Sequence, residues 1–220
     1  MSKSHAREII VRLLNAIVRA SRPPLQVAEL EGDAVFFYAV DGKGDVERAA
    51  RDVKAQIPRL FRAFKREAEA MQRVPMCVCD ACASIGNLRL KQVVHTGEVA
   101  FEKIDRFEKL FGLDVIVVHR MLKNTVPAKE YLMMTDSAYG SFMGFYDEEP
   151  ERRKEQLEGV GEVDMMVFYE ANLARVLDGI SDEAEGAAPG RLQIFLWKLG
   201  MTGRWLAGLL RRRADGSEAR

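Results

Sequence analysis

Residues 25–40 constrain this chain more than any other stretch. Two runs of alternating apolar residues, 25–30 and 34–40, flank Glu31-Gly32-Asp33. Period-two alternation puts every second side chain on one face of a strand, and a glycine between two such runs supplies the turn. A tight β-hairpin with Asp33 at its tip is therefore expected. A carboxylate in that position is either a solvated turn residue or a ligand for a hard cation.

Around the hairpin, hydrophobic spacing sets the order of elements. Residues 6–20 carry Ile9, Ile10, Leu13, Leu14, Ile17 and Val18 at helical spacing, ended by Ser21-Arg22-Pro23-Pro24. Residues 41–45 form a turn in which Asp45 caps a longer helix, 46–73. Its apolar face is Ala50, Val53, Ile57, Leu60, Phe61, Phe64 and Ala68, and Pro58 is expected to kink or split it. A loop over 75–87 holds all three cysteines. Residues 88–95 alternate as a strand, Thr96-Gly97 turns the chain, and 98–104 make a second strand. Residues 105–111 are a short charged segment ending at Gly112. Residues 113–123 are expected to be a largely buried helix, although Val115-Ile116-Val117-Val118 would equally suit a strand.

A strand over 129–135, a short helix over 136–143 and a last strand over 163–169 follow. The charge run at 146–159 is expected to be a solvated excursion. Residues 181–190 form a linker rich in Gly, Ala and acidic residues. Residues 191–213 combine Leu192, Phe195, Leu196, Leu199, Trp205, Leu206, Leu209 and Leu210 with Lys198, Arg204 and Arg211–Arg213. Such a segment suits peripheral contact with an anionic membrane surface, or packing on the domain or another protomer. Helices packed on strands paired in hairpins define an α+β fold. One more strand ahead of the first helix would make the core β-α-β-β-α-β, the ferredoxin-like arrangement.

Composition narrows the function classes. The 220 residues carry 33 basic and 33 acidic side chains, so there is no basic excess to suit general nucleic-acid binding. The start, MSKSHAREII, is polar and then amphipathic, unlike a signal peptide, and no apolar run is long enough to span a bilayer. The cysteines are clustered rather than spread as a disulfide framework, which suits a reducing, cytoplasmic setting. Cys77, Cys79 and Cys82 supply three thiols within six residues. Zinc takes four ligands, commonly sulfur and imidazole, and His95, Asp80 or a partner chain is expected to supply the fourth. The alternatives are three reduced loop thiols or reversible disulfide formation. His95 also reads as a turn-stabilising histidine, and His119 as a packing or dimer contact.

Several stretches together carry a resemblance. Glu29-Leu30-Glu31-Gly32-Asp33-Ala34-Val35 resembles the second and third strands of class III adenylate and guanylate cyclase domains. Val94-His95-Thr96-Gly97-Glu98-Val99 resembles that family's "IHTGxV" turn. Phe111-Gly112 followed by residues 115–122 resembles its "GxxVNxAARL" helix, and YLMMTDS at 131–137 resembles the strand after it. The matches fall in order over roughly residues 5–170. Closer still is the similarity to an uncharacterised bacterial family of cyclase-like proteins. These share "EGDAxxFY", "CxCxxC", "NLxLK…VHxGE" and "FGxDVIVxHRxLKN", here at 31–38, 77–82, 87–98 and 111–124.

The resemblance implies a cyclase-like domain over 1–180, followed by the 181–190 linker and the 191–220 segment. It implies a homodimer that binds a nucleoside triphosphate with Mg2+ or Mn2+. Two aspartates would hold the metals, and Asp33 matches the second. Arg120 matches the transition-state arginine, whose permanently charged fork suits a phosphoryl group. Glu29 and Lys109 fall at the purine-contact positions. Glu29 fits the guanine pattern; Lys109 fits neither. The asparagine position holds Ile116, and no lysine stands near Glu158-Gly159-Val160-Gly161 where the family has one. The first strand, "DISGFT" with the first metal aspartate, has no counterpart, and the expectation is a start downstream of it. The expected function is therefore a degenerate cyclase-like signalling module, binding nucleotide or metal without standard activity. The alternatives are an active cyclase with altered base selectivity and a zinc-dependent structural or interaction protein.

Overall fold

The computed structural model describes residues 2–41, 45–73 and 77–180, apart from the Ser2 side chain. The linker and tail expected at 181–190 and 191–220 lie outside the described residues. In order, the elements are α1 (Ser2–Ala20), β1 (Gln26–Glu31), β2 (Ala34–Tyr38), α2 (Val46–Gln72), α3 (Asp80–Ala83), a 3-10 turn (Ile85–Asn87), β3 (Lys91–Val94), β4 (Ala100–Ile104), β5 (Phe107–Phe111), α4 (Leu113–Met121), β6 (Tyr131–Thr135), α5 (Asp136–Ser141), β7 (Glu151–Leu157), β8 (Gly161–Tyr169) and α6 (Glu170–Gly179). The fold is α+β, as the patterning requires. Among the described residues two compact units are distinguished: residues 21–61 and 89–180, and residues 2–20, 62–73 and 77–88.

In the first of these units, β6 is buried at every residue. It lies between β3, to which it is parallel, and β8, to which it is antiparallel, and β7 closes the sheet in the order β3-β6-β8-β7. Alternation divides the strands between two cores. Leu132, Met134, Met166 and Phe168 face Ala50, Ile57 and Phe61 of α2, Ala138 of α5, and Leu173 and Val176 of α6. Tyr131, Met133, Met165 and Val167 face Val117 and Met121 of α4, with Val126 and Leu157. A strand covered on both faces reads as an uninterrupted apolar run, which is what YLMMT is.

The hairpin at 25–40 forms, with Gly32 at φ +59° in the turn between Glu31 and its partner Ala34. Among the described residues it is one of two hairpins, β1–β2 and β4–β5, that are separate two-stranded sheets. The single ferredoxin-like sheet implied by the resemblance is therefore not assembled among the described residues. Each hairpin pairs with itself, and β3 takes β6 as its partner.

At Pro58 helix α2 is not split and runs from Val46 to Gln72, with Ile57, Leu60 and Phe61 buried on either side of the proline. Three expectations are corrected at the level of elements. The charged segment at 105–111 is strand β5, in which Lys109 and Glu108 lie across from Glu102 and Lys103 of β4. The charge run at 146–159 contains β7, an edge strand whose Glu155 and Leu157 point inward. Charged outward residues on such an edge discourage pairing with other chains. Helix α4 forms over 113–121 but is not largely buried: Leu113 and Ile116 are exposed and only Val117 and Met121 are covered. Helix α6 was not anticipated; Asn172 Oδ1 accepts a bond from the Tyr169 N–H at its start.

Candidate functional site

In the second unit one buried helix stripe and one loop bring a histidine and three cysteines together. Buried residues of α1 recur every fourth position: His5, Ile9, Leu13 and Ile17. That spacing makes one continuous face of a helix, and the Arg12–Glu67 ion pair lies beside it. His5 ends the stripe and is only 1% exposed. The cysteine loop reaches this ring. Cys79 is extended and caps α3, and Cys82 lies within the first turn of that helix.

The imidazole Nδ1 of His5 is 3.4 Å from the Cys79 sulfur and 3.6 Å from the Cys82 sulfur. With Cys77 added, all the potential ligand atoms lie within 4.8 Å of one another. A tetrahedral zinc with ordinary Zn–S and Zn–N bonds separates sulfur from nitrogen by about 3.6 Å. The group is therefore spaced for one metal ion such as zinc. The other ring nitrogen of His5, Nε2, is buried and has no hydrogen-bond partner among the described residues. Burial lowers the basicity of His5, which leaves the neutral imidazole that a metal needs.

The thiols are unequal. Burial, reinforced by the neighbouring Cys79 sulfur, pushes the Cys82 thiol up to about 12. Burial acts on Cys79 in the same direction, but bonds from the Cys82 and Ala81 backbone and from the Cys77 and Cys82 thiols outweigh it and hold Cys79 below the usual thiol range. No disulfide joins the three.

The sequence puts His95, Asp80 or a partner chain in the fourth position; the residue whose ring lies with the three thiols is instead His5. His95 belongs to the other unit, where both ring nitrogens are engaged. Nδ1 bonds Thr135 Oγ1 at 2.9 Å and Nε2 bonds Asp114 Oδ1 at 2.8 Å. The second Asp114 oxygen accepts the Glu98 N–H at 2.6 Å. His95 thus clasps the turn after β3 to α4 and β6. The missed signal was the four-residue stripe of α1 continued back from Ile9 to His5.

The cyclase-like positions fall in the larger unit. Asp33 is exposed at the hairpin tip and joins no group of three or more potential ligands among the described residues. Its surroundings do not fit a resident pair of Mg2+ or Mn2+ ions. Glu29 and Lys109 are brought together as a hydrogen-bonded ion pair. The Lys109 ammonium, with Glu31 next, holds the Glu29 carboxyl below the usual carboxylate range. His119 Nδ1 is 3.4 Å from Glu31, and its ring meets Phe36 edge-on at 5.0 Å. Arg120 donates to Glu158 at 2.6 Å.

The fold is α+β, and the loop brings together a cysteine–histidine cluster that could hold a metal ion such as zinc. Residues 10–131 match the family described as "Protein of unknown function (DUF2652)", and the chain belongs to that family. The matched span contains the hairpin, the three cysteines and Arg120; His5 precedes it. The chain is also 41% identical over 127 residues to "Uncharacterized protein Rv2561/Rv2562" of Mycobacterium tuberculosis (strain ATCC 25618 / H37Rv). That similarity covers 58% of this chain and 57% of the relative, so the chain spans little more than half of the relative's length. No helix among the described residues is long and apolar enough to cross a membrane.

Proposed function

We propose that this chain is a zinc-stabilised, cyclase-like binding module without standard nucleotidyl cyclase activity. The convergence of His5 Nδ1 with the sulfurs of Cys77, Cys79 and Cys82 carries the reading. Three thiolates and one imidazole complete a closed tetrahedral set, the pattern of structural rather than catalytic zinc, which keeps a position open. Protein purified under reduction with zinc present is expected to hold about one equivalent of metal. His5→Ala should weaken binding by about 100-fold or more, His5→Cys should retain the metal, and Asp80→Ala should leave it unchanged. Less than about a tenth of an equivalent in the unaltered chain overturns the proposal.

The cyclase-like part is supported by one specific observation: the two positions that the resemblance puts on the purine, Glu29 and Lys109, are paired with each other. With Ile116 at the asparagine position, a bound nucleoside triphosphate would be held rather than cyclised. Calorimetry in Mn2+ should show binding tighter than about 1 mM, weakened by Arg120→Ala and Glu29→Ala. No binding removes the nucleotide part and leaves the zinc-dependent interaction protein. A cyclic nucleotide, lost on Arg120→Ala and Asp33→Ala, would instead establish an active cyclase with altered base selectivity.

The expected partner is a second copy of the chain. Phe101, Ile104, Phe107 and Phe111 of the β4–β5 ribbon are all exposed, and an isolated two-stranded ribbon is marginal in water. Sedimentation of the unaltered chain and of Phe107→Ser tests this; a monomer in both cases removes the dimer.

A further inference from the structure

We propose that the cysteine–histidine centre is a reversible oxidant-released clamp, in which peroxide joins Cys79 to Cys82, the metal leaves and the first turn of α1 is set free. The proposal rests on the zinc reading above and adds its regulation. Three observations carry it.

The first is an asymmetry of access. His5 is 1% exposed, whereas all three cysteines are half-buried, and Val78, between the first two of them, is 96% exposed. A small oxidant can reach sulfur without unfolding the helix that holds the imidazole.

The second is arithmetic. With three thiols and one imidazole, a single disulfide takes the set from four ligands to two. Zinc needs four, and structural sites keep them all. The odd cysteine remains a free thiol on which a dithiol reductant can start the reverse exchange.

The third is geometry. The sulfurs of Cys79 and Cys82 sit on the same ring nitrogen at 3.4 and 3.6 Å. The two residues bracket the first turn of α3, where the Ala83 N–H bonds the Cys79 carbonyl at 2.9 Å. Residues three apart on a helical turn have α-carbons about 5–6 Å apart, inside the range a disulfide requires. Cys77 precedes this turn, outside α3.

In the step itself, one zinc-bound thiolate attacks a peroxide oxygen, the O–O bond breaks, and a sulfenic acid forms with release of hydroxide. The second thiolate attacks that sulfur, the S–S bond forms, and the sulfenic oxygen leaves as hydroxide. Two protons from solvent convert both hydroxides to water. The two thiolates lose two electrons in all, peroxide gains them, and zinc departs as Zn2+ without change of oxidation state. The His5 ring then loses its metal while Nε2 has no partner among the described residues. A buried imidazole without partners is costly, so the His5 end of α1 comes away. Ile9, Leu13 and Ile17 hold the remainder.

The test uses the full chain loaded with zinc under reduction. Metal analysis first establishes that zinc is bound; a chain without zinc defeats the reading beneath the proposal. The loaded protein is then treated with limiting hydrogen peroxide. Released zinc is followed with a chromophoric chelator, free thiols are counted, and peptides are mapped. The expected result is one zinc released per two thiols lost, a Cys79–Cys82 disulfide, and faster hydrogen exchange confined to the first turn of α1. Dithiothreitol with added zinc should restore the starting state. Zinc retained while thiols oxidise, zinc released only as sulfinic acids form, or exchange at α1 unchanged after release would each overturn the clamp and leave the zinc site standing.

Discussion

A side chain at residue 97 would meet the Asp114 carboxylate, because a Cβ built there lies 2.2 Å from Asp114 Cγ. The glycine lets Asp114 reach both the His95 ring and the Glu98 N–H. Gly97→Ala is expected to break this clasp and lower stability by about 1–3 kcal/mol, measured by urea unfolding. Asp114 also gives the fold an acid sensitivity whose sign is fixed. Its bond to His95 holds the carboxyl below the ordinary value of 3.8, against a smaller effect of burial in the opposite direction. A depressed carboxyl stabilises the fold above its unfolded pKa, and that contribution is lost as pH falls through the folded value. Asp114→Asn should therefore be less stable than the unaltered chain at pH 7, and the gap should narrow below the usual carboxylate range. An unchanged gap between pH 7 and pH 3 would show that this carboxylate has no such linkage. At the same scale, His5 shows what the sequence concealed. A lone histidine in a polar start has no ligand signature, and only its place on the four-residue stripe marks it as buried.

Elements were legible where one face is apolar and the other polar. The hairpin, α1 and α2 follow from their periodicity and their turn residues, and β6, buried on both faces, follows instead from its uninterrupted apolar run. Elements dominated by charge were not. In β5 and β7 the charges are paired across the ribbon or turned outward, as with Lys154 and Glu162 at 2.5 Å, so their alternation looks like that of a solvated loop. Helix α6 is short, and it is secured by burial of Leu173 and Val176 against Met166 and Phe168 rather than by intrinsic propensity. Leu173→Ala should accordingly cost about 2–4 kcal/mol, whereas Arg152→Ala on exposed β7 should change stability by less than about 0.5 kcal/mol. Equal effects of the two substitutions would contradict the packing described here.

Across the whole molecule, the two units draw on different sources of stability. The larger has a sheet covered on both faces by helices and two apolar clusters. The smaller, among its described residues, rests on the α1 stripe, residues 62–72 of α2 and the cysteine loop. Metal binding that occurs only in the folded state contributes directly to folding. Chelation by a strong zinc ligand under reduction is therefore expected to increase hydrogen exchange at the His5 end of α1 and in the cysteine loop while β6 and β8 remain protected. Exchange that rises equally in both units would contradict this division.

By itself the sequence determined the α+β class, the hairpin with its Gly32 turn, the long helices and the thiol cluster. Each depends on neighbours a few residues apart, and local spacing records such relations directly. Only the tertiary structure decided that the strands among the described residues divide into three sheets, that His95 is spent on Asp114 and Thr135, and that His5 meets Cys79 and Cys82. Those outcomes depend on which distant groups compete for the same partner. An imidazole is taken by whichever carboxylate, hydroxyl or sulfur the packed chain brings to it, and spacing along the chain does not contain that distance.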